Sequence, residues 1–268
     1  MTARRKEAFT LALVNNKGGV GKTTSAVNLA AGLAAEGLRV LLADLDAQGS
    51  ASLSLGLTRA DLQPGTAEAI LDAQPIKEAI RPSGVAGLDI LPGSMALASA
   101  DLALSDVKGR EAVLKAALTP IRSGTYDFII LDCPPSLGLL TVNALTAADF
   151  FLVPLTLDYL ALEGLVNLLE AVELIRAGIG KTAAPLGFLL TLADYRLNIT
   201  EEIAGMIRKH YGRLVFKTVV PGNVRLKEAP SFGKTIFDYD AGSAGAEAYR
   251  ELTKEVLHRL GRHDIKTA

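Results

Sequence analysis

Cysteine occurs once in this chain, at Cys133, which excludes an internal disulfide and the paired thiolates of an iron–sulfur site. A lone thiol at a strand end reads as a small buried residue and agrees with a reducing compartment. Long apolar runs are also missing. The longest uncharged stretch, 133–148, is broken by Pro134, Pro135, Ser136 and Asn143, short of the roughly 18 apolar residues that a membrane span needs. Neither sign of charge dominates: 28 Lys and Arg stand against 29 Asp and Glu, a formal net charge of −1, which argues against a generally basic surface. No apolar segment of signal-peptide type follows the basic residues 2–7, so a cytoplasmic protein is expected. There is no internal repeat, low-complexity tract or evident linker.

What the chain does have is apolar residue in quantity. At 49% hydrophobic over 268 residues it can bury a large core, and one domain over 1–268 is expected, with 1–8 as an arm and 261–268 as a tail. Strand-like and helix-like segments alternate from end to end. Candidate strands are 9–14, 39–43, 88–91, 128–131, 150–154, 186–190 and 215–220; the principal candidate helices are 24–35, 162–176, 199–211 and 244–260. The strands are apolar on both faces. This pattern predicts an α/β fold, a mostly parallel twisted sheet of about seven or eight strands covered by helices on both faces.

The first strand runs into Lys17-Gly18-Gly19-Val20-Gly21-Lys22-Thr23-Thr24, and an alanine-rich helix follows, which is the setting of a phosphate-binding loop. Glycines at 18, 19 and 21 let successive backbone N–H groups approach phosphate oxygens, and the helix adds its positive end. Lys22 can reach terminal phosphates, Thr23 can ligate magnesium, and Thr24 can donate to a more internal phosphate. Lys17 stands where the ordinary loop has its first glycine. The loop is therefore a deviant one, with a second lysine.

Ligand groups in such sheets gather at the C-terminal ends of strands. Two further strand ends carry acids there: Asp44-Leu45-Asp46 after 39–43, and Asp132 after 128–131. Asp44 and Asp46, spaced by two, would share a face of extended chain. An acid in the position of Asp132 supports a magnesium shell, usually through water. The expected metal environment is Thr23, Asp46 and Asp132.

Together the segments KGGVGKTT, LLADLDAQGSAS, YDFIILDCPPSLG, VPLTLDYLALEG and VVPGNVRLKEAPSFGKTI resemble, in this order and spacing, the ParA/Soj partition ATPases of the MinD-type group, from about Phe9 to about Leu260. The resemblance implies an ATP- and Mg2+-dependent switch. ATP binding would build a sandwich homodimer on nonspecific double-stranded DNA, and a ParB-like partner would stimulate slow hydrolysis and release. Lys17 matches the signature lysine that crosses to the partner subunit's phosphates, Asp46 the residue that positions the attacking water, and Asp132 the switch acid; Asp44 would assist near the metal. Pro221 and Asn223 would frame the adenine. Ala47 and Ser50 replace the usual proline and frequent asparagine without removing a reacting group.

Eight of the basic residues fall between Tyr195 and Thr235, where the net charge is +5 against −6 for the remainder. Such a local excess can bind phosphates on an acidic protein in a sequence-independent, salt-sensitive manner. The resemblance picks out Arg196 and Arg225 as DNA contacts, with Lys227 and Lys234 beside them. Gly222, where relatives often have arginine, removes one cation. The expected location is the cytoplasm, on the nucleoid. Two rivals share the loop: a nucleoid-tracking positioner of other cargo, and a MinD-like membrane switch. The latter needs a lipid-inserting tail, whereas Tyr249, Leu252, Val256, Leu257 and Leu260 read as a core-facing stripe.

Overall fold

A computed structural model describes residues 7–261, so most of the expected arm and tail lie outside the described residues. Ala8 is buried and its amide donates to the Arg122 carbonyl (2.7 Å), while Glu7 bridges to Ser123. An apolar residue next to a central strand packs with it.

Eight strands form one sheet: β1 (Phe9–Leu13), β2 (Val40–Asp44), β3 (Arg81–Pro82), β4 (Leu88–Leu91), β5 (Phe128–Asp132), β6 (Phe150–Thr156), β7 (Ala184–Ala193) and β8 (Val215–Pro221). Their spatial order is β3-β4-β2-β5-β1-β6-β7-β8, and every pairing is parallel except β3 with β4. All seven expected strands are present, as is the expected fold class. The eighth, β3, has two residues and no period to read. Its Pro82 is tolerated because an edge strand can spare an N–H.

The two-residue period sends alternate side chains to opposite faces, and both faces are buried. Leu11, Leu13, Val40, Leu42, Phe128 and Ile130 pack beneath the helices Lys22–Ala35 and Ala244–Arg259. Ala12, Leu41, Ala43, Ile129 and Leu131 pack against Val113–Arg122, Leu139–Ala147, Ala161–Ile179 and Asn198–Tyr211. Each fully buried large apolar side chain contributes about 1.5–3 kcal/mol, so the central strands fix the register of the whole sheet. In the C-terminal helix, Tyr249, Leu252 and Val256 are buried, with Leu257 and Leu260 packed alongside, as the stripe predicts. No helix among the described residues is long and apolar enough to cross a membrane.

Parallel pairing brings the C-terminal ends of β1, β2 and β5 level, with Leu13 and Asp44 both beside Asp132. The loop 17–24 and the acids that end β2 and β5 therefore emerge at one end of the sheet. The helix Lys22–Ala35 is held against the sheet by the C-terminal helix, and they meet at Gly32, where an added Cβ would lie 2.2 Å from the Thr253 Oγ1. Gly32→Ala should destabilise the chain by about 1–3 kcal/mol through overpacking, read as a lower midpoint in urea with an unchanged m-value.

Candidate functional site

The loop between β1 and the first helix is held in shape by its own side chains. Gly19 and Gly21 adopt left-handed backbone (φ 73° and 83°), which turns the chain tightly at the helix start. Asn15 donates to the Pro154 carbonyl (2.7 Å) and accepts from the Lys17 amide (2.9 Å). The Lys22 ammonium reaches back to the Lys17 carbonyl (2.9 Å). Thr191, at the end of β7, has its hydroxyl 2.8 Å from the Val20 carbonyl and 2.9 Å from that of Leu155.

Two clefts open beside this loop. One, of about 300 Å³, is lined by Gly18, Gly19, Gly21, Lys22, Thr23, Thr24, Asp46, Pro135, Leu192 and Lys227. The other, of about 260 Å³ and mainly apolar, is lined by Gly21, Thr24, Thr191, Leu192, Val220, Asn223, Leu226, Lys227, Pro230 and Tyr249. The first suits phosphates and the second a flat base. Most expected loop residues and Asp46 line the phosphate cleft; Val20 is buried beneath it. Asn223 lines the base cleft but Pro221 does not; Val220 takes that place. Tyr249, read from sequence only as core, forms part of that wall and bonds Ser25 through its hydroxyl (3.0 Å).

The acids behave differently from one another. Asp132 is fully buried, and neither carboxylate oxygen has a well-formed hydrogen bond, although Thr23 and Lys22 stand near enough to favour its charge. Burial, and then the neighbouring Asp44, push its pKa well above the ordinary range. Burial lowers the pKa of Lys22, against the opposing pull of Asp132. Asp44 is also wholly buried, and its oxygens are occupied: one accepts from the Asp46 amide (3.1 Å), the other from the Ser52 amide (3.0 Å) and hydroxyl (2.8 Å). Burial raises it to about 6 despite those bonds. Asp44 and Asp46 thus do not share a face. β2 ends at Asp44, and the chain turns so that Asp46 alone reaches the cleft.

These residues fit a hydrated divalent cation. Two oxygens of a buried carboxylate that no well-formed hydrogen bond satisfies, beside the Thr23 hydroxyl, ask for positive charge or for water that brings it. No cluster of three or more His, Cys, Asp or Glu side chains forms a metal cage among the described residues. That suits magnesium, which is usually held by one or two side chains together with substrate phosphates.

Comparison with known proteins agrees with this geometry. The AAA domain family matches residues 8–183. The sporulation initiation inhibitor protein Soj of Bacillus subtilis is 46% identical over 92% of this chain and 97% of its own length. The chromosome-partitioning ATPase Soj of Thermus thermophilus is 44% identical over 96% and 98%. The chain belongs to the ParA/Soj family of chromosome-partitioning ATPases. Among solved structures, cobyrinic acid a,c-diamide synthase of Mycobacterium smegmatis with bound ADP and magnesium is 33% identical, with a TM-score of 0.82 over 95% of this chain and 96% of that one.

The remaining features can be placed on this ParA/Soj chain. Lys17 projects from the loop and pairs with Asp158 beyond β6 (2.5 Å), both side chains being nearly half exposed. Partial burial raises Asp158, but hydrogen bonds from Lys17 and Thr156 outweigh it and hold the carboxyl below its usual range. Arg196 pairs with Asp194 (2.5 Å), whose carboxyl those hydrogen bonds hold at about 2. Arg225 pairs with Glu228 (2.9 Å) and Asp240 (3.4 Å). Lys227 and Lys234 are exposed and make no ion pair among the described residues.

The eight-residue basic cluster is not one patch. Arg196, Arg225, Lys227 and Lys234 follow the C-terminal ends of β7 and β8, on the nucleotide side. Arg208, Arg213 and Lys217 line a separate cleft of about 800 Å³ at the opposite ends of β6, β7 and β8. Seven residues of β8, roughly 20 Å of extended chain, separate them.

A raised carboxylate pKa contributes stability below its unfolded value, near 4, that is lost as pH rises through the folded value, about 6 for Asp44 and raised likewise for Asp132. The nucleotide-free chain should therefore melt at a lower temperature at pH 8 than at pH 5. In Asp132→Asn that drop should be smaller; melting curves across this range check it.

Proposed function

We propose that this chain is an ATP-driven partition switch in which nucleotide binding and dimerisation are one event. The observation that supports it most directly is the placing of two lysines on one loop. Lys22 is buried against the phosphate cleft, and Lys17 points out of it, available to a second subunit.

In this reading the backbone N–H groups of 18–24 and Lys22 hold the triphosphate of ATP. Magnesium, when bound, supplies charge neutralisation across the transferring phosphate. Thr23 and Asp132 would hold it, the latter through water, and Asp46 orients the attacking water. Asp44 takes a positioning role rather than the assisting place near the metal expected of it, since it anchors Asp46 and Ser52 through the bonds described above. The base lies between Leu226, Pro230 and Asn223.

Lys17 crosses to the partner's phosphates once its pair with Asp158 is released. Exposed ion pairs of this kind are worth about 0–1 kcal/mol, whereas charge-assisted contacts to phosphate in a dry interface are stronger. Asp158 is therefore a resting partner for Lys17 and no lock. Exposed Tyr159, Leu160, Leu192, Tyr195 and Leu197 crowd the same edge and give a dimer apolar area to bury. Duplex DNA is bound without sequence readout by Arg196 and Arg225, whose exposed carboxylate partners exchange for phosphates; Lys234 adds to the same side. A ParB-like protein stimulates turnover, and the chain works on the nucleoid.

Lys17→Ala should keep measurable ATP binding and lose ATP-dependent dimers in light scattering; dimers of normal stability would overturn the reading. Arg196→Glu with Arg225→Glu should weaken binding to any duplex by tenfold or more while sparing nucleotide affinity, with a shallower salt dependence in a filter-binding titration.

A further inference from the structure

The two clefts share only four residues: Gly21, Thr24, Leu192 and Lys227. A nucleotide whose base fills one cleft and whose terminal phosphates fill the other has to cross that line, and what crosses is the ribose and the innermost phosphate. Gly21 and Thr24 bring backbone and a hydroxyl to the crossing. Lys227 brings the only charge.

The short helix Val224–Glu228 explains why this lysine faces inward. Leu226 is buried against Gly245, where an added Cβ would lie 2.7 Å from the leucine Cγ. That contact fixes the rotation of the helix. Arg225 then falls on the side of Asp240 and Glu228 and is neutralised there, whereas Lys227 falls on the side of the loop and meets no carboxylate among the described residues. Two cations only two positions apart in the sequence thus have different partners available. Opposite Lys227, Leu192 is held in left-handed backbone (φ 52°), a conformation uncommon for a leucine, and half-exposed. The crossing is a narrow gate with an apolar side and a cationic side.

We propose that Lys227 is a nucleotide-binding residue, its ammonium group meeting the phosphate next to the ribose of ATP and ADP alike, and not a DNA contact. This rests on the nucleotide reading of the two clefts and deepens it. Because the innermost phosphate is common to both nucleotides, the lysine adds affinity without distinguishing fuel from product. Discrimination is left to Lys22, Asp46 and the partner subunit's Lys17.

The test is an equilibrium titration of the full chain with a fluorescent ATP analogue and, separately, with fluorescent ADP, both with magnesium and without DNA. Lys227→Ala should weaken both by about tenfold, Lys227→Arg should retain most of the affinity, and the loss should shrink as salt is raised. Equal affinities of wild type and Lys227→Ala would overturn the inference, as would a loss for ATP alone, which would put the ammonium at the outermost phosphate. So would intact nucleotide affinity with reduced retention on duplex DNA at saturating ATP. If the wild type bound neither nucleotide, the reading of the clefts themselves would fail, and the lysine's with it. Lys227 is exposed, so an unchanged melting temperature of the nucleotide-free variant shows that it still folds.

Discussion

Two carboxylates and one ammonium group are buried side by side at the centre of this fold, and the rest of the site is arranged around their imbalance. Asp44 and Asp132 are level on neighbouring strands with no exposed surface, and Lys22 is the one cation buried with them. Leaving charge out of water is costly unless it is paired and hydrogen-bonded. Asp44 meets that requirement with three donors from two segments, which tie the β2 end to the Ser50–Ser54 helix. Asp132 does not meet it. The protein keeps a buried deficit of positive charge at the point where a phosphate-bound cation would sit, a form of preorganisation carried at the expense of the empty state.

The parts of this arrangement that are contiguous in the chain were legible in the sequence. The loop 17–24 carries its own glycines, lysines and threonines, and β1, β2 and β5 are apolar runs that end in ligand residues. Reading them required only local period and residue type. Asp46 and Asp132 were found for the same reason. What escaped was assembled from segments far apart. The base cleft joins Thr24, Thr191, the 220–230 segment and Tyr249, and no periodicity announces that these meet. Tyr249 was legible as core because Leu252, Val256 and Leu260 recur with it at helical spacing, but its place in the wall of the apolar cleft depends on how two helices pack at Gly32. Asp44 was misread in a revealing way. Spacing of two implies a shared face only while the chain stays extended, and here the strand ends at Asp44 itself.

The basic segment teaches the converse. Nearness in sequence made eight cations look like one surface, yet a strand runs between them, with four at one end of the sheet and Arg208, Arg213 and Lys217 at the other. Charge counted along a chain becomes a field only after topology has sorted it. Within the half that stays at the nucleotide edge, pairing sorts again: the arginines lean on their own carboxylates, and Lys227 does not.

Thr191 carries a consequence beyond holding the loop. Its hydroxyl lies within hydrogen-bond distance of the Val20 carbonyl and of the Leu155 carbonyl of β6 and shares its one proton between them, so the floor of the phosphate cleft is tied to both strands. From those strands the chain runs on directly to Asp158 and to Arg196, the two places where the outer surface would meet another molecule. One threonine side chain therefore ties the loop beneath the phosphate cleft to the two strands whose continuations carry the Lys17–Asp158 and Arg196–Asp194 pairs.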